Sequence, residues 1–201
     1  MLIGVLALQG AGSEHCVAFG SLNVRNKKVR NTEDIREIDG LIMPGGESTT
    51  LRKLLVNANL WDFIMKSKIP IMGTCAGAIL LGKADDITFE KMDYIIDRNF
   101  YGRQIDSFEE ILEIKDYPGF RGVFIRAPAI TDIGKTQAIA HCKGNVVGCI
   151  EGKNMALTFH PELTRDPYFH KMWIDTLDWN AININNSVKG CVVSIMDINP
   201  I

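Results

Sequence analysis

In Ile69-Pro-Ile-Met-Gly-Thr-Cys-Ala-Gly-Ala-Ile-Leu-Leu-Gly82 an apolar strand runs into a helix through a turn of small residues, Gly73 to Gly77. Ile69–Gly73 has the length and continuous apolarity of a strand covered on both faces, and Ala76–Ala84 continues as a helix. The stretch falls short of the ~20 residues a membrane helix needs, and Gly and Pro punctuate it. Strand, tight turn and helix together form the repeating unit of a parallel sheet with right-handed crossovers.

The same unit recurs on either side. Leu2–Leu8 is a continuous apolar run that stops at Gln9-Gly10. It lacks the basic start of a signal peptide and reads as a buried strand, with a short helix over Ser13–Gly20 behind it. Lys28–Arg30 reads as a short strand, and Thr32-Glu-Asp as a helix start leading to Ile35 and Ile38. Asp39–Met43 is a second apolar strand, followed by helical spacing at Leu51, Leu54 and Leu55 and by a helix over Trp61–Ser67. Beyond it, short strand-like runs dominate: Tyr94–Ile96, Ile111–Ile114, Gly122–Ile125, Gln137–Ala140, Val146–Ile150 and Met155–Phe159. They predict an antiparallel extension, closed by an amphipathic helix over Pro167–Trp179. The expected fold is α/β: a mostly parallel sheet with helices on both faces. One domain over residues 1–180 is expected, with a tail of unassigned role over 181–201, where Val192–Met196 resembles an added strand.

Composition sets outer limits. The 201 residues carry 46% apolar and 23% charged side chains and a formal net charge of −2. That balance argues against a nucleic-acid or anionic-membrane binder, which needs a basic face. Five cysteines with no C-x-x-C pair form neither a disulfide framework nor a zinc ribbon, and suit a reducing, cytoplasmic setting.

Gly73-Thr-Cys-Ala-Gly77 is a G-x-nucleophile-x-G turn with a thiol at its centre. The bland alternative is a packed structural cysteine. A thiol nucleophile needs a base, and Phe159-His160-Pro161-Glu162 provides one, with Glu162 two residues on to hold the imidazole tautomer. His15, His141 and His170 have no comparable setting and read as packing or surface residues. Pro44-Gly-Gly-Glu-Ser-Thr-Thr50, a glycine turn between strand and helix, suits an anion nest, or simply a helix cap by Ser48 or Thr49. Both loops fall at the carboxyl ends of strands, where parallel α/β sheets bind ligands. A Walker phosphate loop is absent.

These segments, with Leu6–Gly10, Arg98-Asn-Phe-Tyr-Gly-Arg-Gln104, Phe124-Ile-Arg-Ala-Pro128 and His160-Pro-Glu-Leu-Thr164, closely resemble the glutaminase subunits of pyridoxal 5′-phosphate synthases. Those subunits belong to the class I (triad) glutamine amidotransferases, and the likeness runs in order from residue 1 to about 180. The resemblance implies a flavodoxin-like glutaminase fold and hydrolysis of L-glutamine, with neither cofactor nor metal. It implies ammonia delivery to a separate (β/α)8-barrel synthase, and low activity in its absence. It casts Cys75 as nucleophile, His160 as base and acid, and Glu162 as its orienter. Gly46, Glu47, Ser48, Arg98, Ile125 and Arg126 match the glutamine-binding positions, and Gly46 and Ala76 the oxyanion donors. Without the family, Arg98 and Arg126 read as ordinary surface charges.

Residues 12–31 and 84–93 are shorter than in many family members, which bears on the surfaces meeting a synthase. Two other readings compete: a different thiol enzyme of peptidase-like or glyoxalase-like type, and a non-catalytic regulatory subunit. The H-P-E and arginine-bearing segments do not suit the first, and an intact Cys75–His160–Glu162 set argues against the second.

Overall fold

Leu2–Leu6 (β1) hydrogen-bonds a parallel strand on each side, which is why its sequence is apolar without alternation. The computed structural model describes residues 1–100 and 107–177. After β1 come helix α1 (Gly12–Ser21), β2 (Arg25–Val29), β3 (Gly40–Met43), α2 (Ser48–Asn57), α3 (Trp61–Lys66), β4 (Ile71–Thr74) and α4 (Ala76–Leu81). Strands β5 (Ile95–Asp97), β6 (Phe108–Ile111), β7 (Arg121–Phe124), β8 (Ala129–Asp132), β9 (Gln137–Cys142), β10 (Asn145–Glu151) and β11 (Asn154–Leu157) follow. A one-turn 3₁₀ helix (Pro161–Leu163) and a closing helix over residues 168–177 end the described chain.

The main sheet has seven strands in the order β2-β1-β3-β4-β11-β10-β9. The chain from β2 to β11 runs parallel, and β10 and β9 add an antiparallel flank. Two small antiparallel sheets, β5-β8 and β6-β7, lie outside it. Side chains alternate across the sheet with the period of two that a strand imposes. Ile3, Val5, Ile42 and Met72 face Phe19 of α1 and Phe169, Trp173 and Ile174 of the closing helix. Leu6, Leu41, Met43 and Ile71 face Leu51, Leu55, Leu60 and Ile64 of α2 and α3 and their approach. Each such fully buried side chain contributes about 1.5–3 kcal/mol relative to exposure. The charged strand Arg25-Asn-Lys-Lys-Val29 sits at the sheet edge, where lysines discourage pairing with another chain. Among the described residues, no helix is long and apolar enough to cross a membrane.

Several local expectations are corrected. Residues 31–37 form turns rather than a helix from Thr32. The N–H groups of Glu33 and Asp34 donate to Asn31 Oδ1, and Arg30 N–H donates to Asp34 Oδ2, so side chains take the backbone bonds a helix would have used. Ile35 and Ile38 are buried all the same. The strand expected at Ile111–Ile114 is β6, three residues earlier. Its glutamates pair with Arg121 and Lys143, so they concealed the strand. Strand β8 was not foreseen, and α4 stops at Leu81 rather than Ala84. The end of the closing helix, the tail from 181 and the proposed strand Val192–Met196 lie outside the described residues.

Helix α2 begins with a cap that the sequence had assigned to Ser48 or Thr49. The Glu47 carboxylate instead accepts from the N–H groups of Thr49 and Thr50, satisfying donors the first turn leaves unpaired. The Thr50 hydroxyl and these backbone bonds outweigh partial burial and hold the Glu47 carboxyl down to about 2, from an ordinary 4.5. A lowered folded value means that this stabilisation is full above pH 4.5 and disappears as pH falls toward 2. Glu47→Ala is expected to cost about 1 kcal/mol at neutral pH. Urea unfolding should show that gap closing below pH 4.5; a gap independent of pH would remove the cap assignment.

Candidate active site

The turn after β4 is shaped by what its glycines touch. A Cβ on Gly77 would lie 2.0 Å from the Met43 carbonyl oxygen, and one on Gly73 would lie 2.6 Å from the Gly77 backbone. The start of α4 therefore presses directly on the end of β3. Cys75 between them adopts φ 48° and ψ −104°, a conformation side-chain-bearing residues avoid, and its N–H donates to Leu157 O of β11 at 2.8 Å. The sheet ladder thus holds the strained residue at the carboxyl ends of the strands.

His160 follows β11 and is anchored by its own N–H to Val123 O of β7, at 2.8 Å. Its Nδ1–H donates to Glu162 Oε1 at 2.8 Å, and both residues are buried. Cys75 and His160 meet over Gly45: a Cβ on Gly45 would stand 2.4 Å from His160 Cε1 and 3.3 Å from Cys75 Cβ. Burial works against a charged His160. Its hydrogen bonds to Cys75 and Glu162, and their charges, win and raise it to about 10. The imidazole therefore keeps a proton through the neutral range, beside the sulfur and supported by a carboxylate.

The loop Pro44–Thr50 lies against this pair. Gly46 has φ 134°, and the Gln9 side chain donates to Glu47 O at 2.9 Å, which ties the first βα turn to this loop. On the opposite side, Cys75 Sγ stands 3.8 Å from Ile125 O, and the next residue, Arg126, is held at φ 42°. Arg98 is tied to Asp85, Asp86 and the Thr49 hydroxyl, at the start of α2. The structure thus gathers Cys75, His160, Glu162, Gly45, Gly46 and the Ile125 carbonyl. Arg98 stands off to the side of α2, and the motif it opens runs past Phe100 into residues outside the described set. Gly45 and Gln9, though part of the Pro44–Thr50 and Leu6–Gly10 segments, were not singled out as site residues. Neither did His15 and His170, which turn out to be fully buried next to Glu162 and to each other. No group of three or more His, Cys, Asp or Glu among the described residues is arranged to hold a metal ion.

A family model described as the SNO glutamine amidotransferase family matches residues 5–178. The chain belongs to the SNO glutamine amidotransferase family. This amidotransferase is 47% identical over 173 residues to the "Pyridoxal 5'-phosphate synthase subunit PdxT" of Methanocaldococcus jannaschii, covering 84% of the chain and 93% of the relative. It is 39% identical over 188 residues to the subunit of the same name from Bacillus licheniformis, covering 89% and 95%. A solved "glutamine amidotransferase" superposes with a TM-score of 0.81 at 38% identity, over 87% of this amidotransferase and 98% of that chain. A putative GMP synthase subunit from Thermoplasma acidophilum shares the fold at a TM-score of 0.66 and 16% identity, over 93% of this chain and 97% of that one.

Proposed function

We propose that this amidotransferase hydrolyses L-glutamine to glutamate and ammonia at Cys75 and passes the ammonia to a separate (β/α)8-barrel subunit that assembles pyridoxal 5′-phosphate. The observation that carries this reading is the meeting of Cys75 and His160 over Gly45, with Glu162 bonded to His160, in a chain 47% identical to a pyridoxal 5′-phosphate synthase subunit.

Cys75 sulfur attacks the side-chain carboxamide carbon, and the tetrahedral oxyanion accepts from the backbone N–H groups of Gly46 and Ala76. His160 gives its proton to the departing nitrogen, and ammonia leaves a γ-glutamyl thioester on Cys75. Water then gives a proton to His160 and attacks the thioester, releasing glutamate and restoring the deprotonated sulfur beside the protonated imidazole. Glu162 keeps Nδ1 as the protonated nitrogen, so that Nε2 is the one that shuttles. Gly46, Glu47, Ser48, Arg98, Ile125 and Arg126 form the glutamine site, in which Arg126 supplies charge that an α-carboxylate requires and Arg98 does so only on leaving Asp85 and Asp86. For Glu47 this contribution comes through its backbone, because its carboxylate already caps α2.

Access to the sulfur is the restricting feature. Cys75 is 5% exposed, and the Ile125 carbonyl lies over its Sγ. A carboxamide reaches it only when Ile125–Arg126 shifts, and an oxyanion hole built on Gly-rich backbone is complete only in one arrangement of the loop. Docking of the synthase subunit provides that arrangement. Losing one oxyanion donor costs on the order of 10²–10³ in turnover. Ammonia release from glutamine is therefore expected to rise by about 10² or more when the synthase subunit is added. Equal rates with and without it would end the gating idea.

A further inference from the structure

The Cys75–His160–Glu162 array continues inward. Glu162 offers two carboxylate oxygens: Oε1 takes the His160 Nδ1–H, while Oε2 is buried without a hydrogen bond of its own. His15 Nε2 stands 3.4 Å from that oxygen and 3.4 Å from the hydroxyl of Thr74, the residue preceding the nucleophile. His15 Nδ1 in turn lies 2.9 Å from His170 Nε2. Both histidines are 0% exposed, and they come from α1 and the closing helix, on the same face of the sheet. The His170 ring is wedged edge-on against Phe19, with ring centroids 5.0 Å apart.

We propose that His15 and His170 are positioning residues: His170 Nε2–H donates to His15 Nδ1, and His15 Nε2–H donates toward Glu162 Oε2, fixing the carboxylate that orients His160. This rests on the glutaminase reading for its kinetic consequence but not for its geometry.

Proton placement argues for that direction. An N···N contact of 2.9 Å between two rings takes one proton. Burial and mutual proximity hold His15 well below its usual range, and burial pulls His170 down to about 4, so both rings are neutral. If His15 instead protonated Nδ1, its Nε2 lone pair would face the Glu162 carboxylate, acceptor against acceptor, with the Thr74 hydroxyl at 3.4 Å as a donor to it. His170 would then carry its proton on Nδ1, which has no partner. A buried unpaired N–H is the costlier orphan. In the proposed direction every proton on the path has an acceptor, and the atom left over is a bare lone pair. The ionisable groups facing His15 are Glu162, His160 and His170.

The first test is long-range ¹H–¹⁵N correlation on the full chain labelled at its four histidines. Both His15 and His170 are expected as neutral Nε2–H tautomers at pH 7. An Nδ1–H tautomer or a charged ring at either residue would overturn the proposal, whatever the activity of the protein. The second is kinetic, with the synthase subunit present. His15→Phe keeps the ring and removes the donor, and should lower kcat about 10- to 100-fold, the range set by one hydrogen bond to a charged group. KM should stay within about twofold, because substrate contacts are untouched. His15→Gln restores a donor near Nε2 and should recover most of the loss. Wild-type kcat in His15→Phe, or no recovery in His15→Gln, would refute the positioning role. The pH dependence of Cys75 alkylation by iodoacetamide supplies a substrate-free readout. His15→Phe should change it, whereas an unchanged profile counts against the proposal. If the wild type released no ammonia, the glutaminase reading would fail while the tautomer and alkylation results still judged this one.

Discussion

Replacing Cys75 with glycine is expected to stop ammonia release and, at the same time, to leave a protein more stable than Cys75→Ala. Loss of the nucleophile should cost on the order of 10⁴ or more in turnover, since members of a catalytic array fail as a unit. The stability comparison follows from φ 48° and ψ −104° at this residue. A side chain in such a region stores about 1–3 kcal/mol, which glycine does not incur. Alanine, the better residue almost everywhere else, keeps the strain. The Gly variant should melt above the Ala variant, by about 2–4 °C for each kcal/mol recovered in a chain of this size. Scanning calorimetry on both variants and an ammonia assay with the synthase subunit present suffice. Residual turnover in either variant would mean that Cys75 is not the nucleophile. If alanine melted higher, the turn would store no strain.

Gly77→Ala should be among the most damaging small substitutions in the protein. Its Cβ would sit 2.0 Å from the Met43 carbonyl, an atom of the sheet's own backbone that no rotamer change can move aside. Overpacking a core ordinarily costs about 1–3 kcal/mol, and here the obstacle is a central strand, so about 3 kcal/mol or more is expected. Against total stabilities of about 5–15 kcal/mol that is a large fraction. Gly20→Ala is the matched control. It lies in α1 with no atom within 4 Å of the added Cβ, so it should stabilise by about 0.5–1 kcal/mol. Denaturant midpoints at unchanged m-value read both. A mild Gly77→Ala would show that the turn can draw back from β3.

The two substitutions concern one physical arrangement. Gly77 lets α4 lie hard against β3, Cys75 takes its unfavourable conformation in the turn between β4 and α4, and Gly45 leaves room for His160 to meet the thiol. Removing any of the three small residues changes the geometry of the nucleophile before it changes any chemistry. Stability and activity therefore pull in opposite directions at Cys75 and in the same direction at Gly77.

The parallel strands were legible because burial on both faces demands uninterrupted apolar runs, and Leu2–Leu6, Gly40–Met43 and Ile71–Thr74 meet that demand. The thiol turn and the His160–Glu162 pair were legible because each is local: glycines two residues from Cys75, and a carboxylate two residues from its histidine. Strand β6 was displaced by three residues and β8 escaped because they lie at half-exposed edges, where charged and apolar side chains serve equally well. The Thr32 helix start failed for a related reason, as Asn31 and Asp34 offered the backbone a competing set of bonds.

The sequence by itself determined the α/β class and singled out the Gly73–Gly77 turn and the His160–Glu162 pair, because each depends on residues within a few positions of one another. Only the tertiary structure decided that His160 meets Cys75 over Gly45, that Glu47 caps α2, and that His15 and His170, 155 positions apart, touch beneath Glu162. A lone buried histidine on a helix leaves no periodic trace. It acquires a partner only when the sheet brings α1 and the closing helix onto the same face.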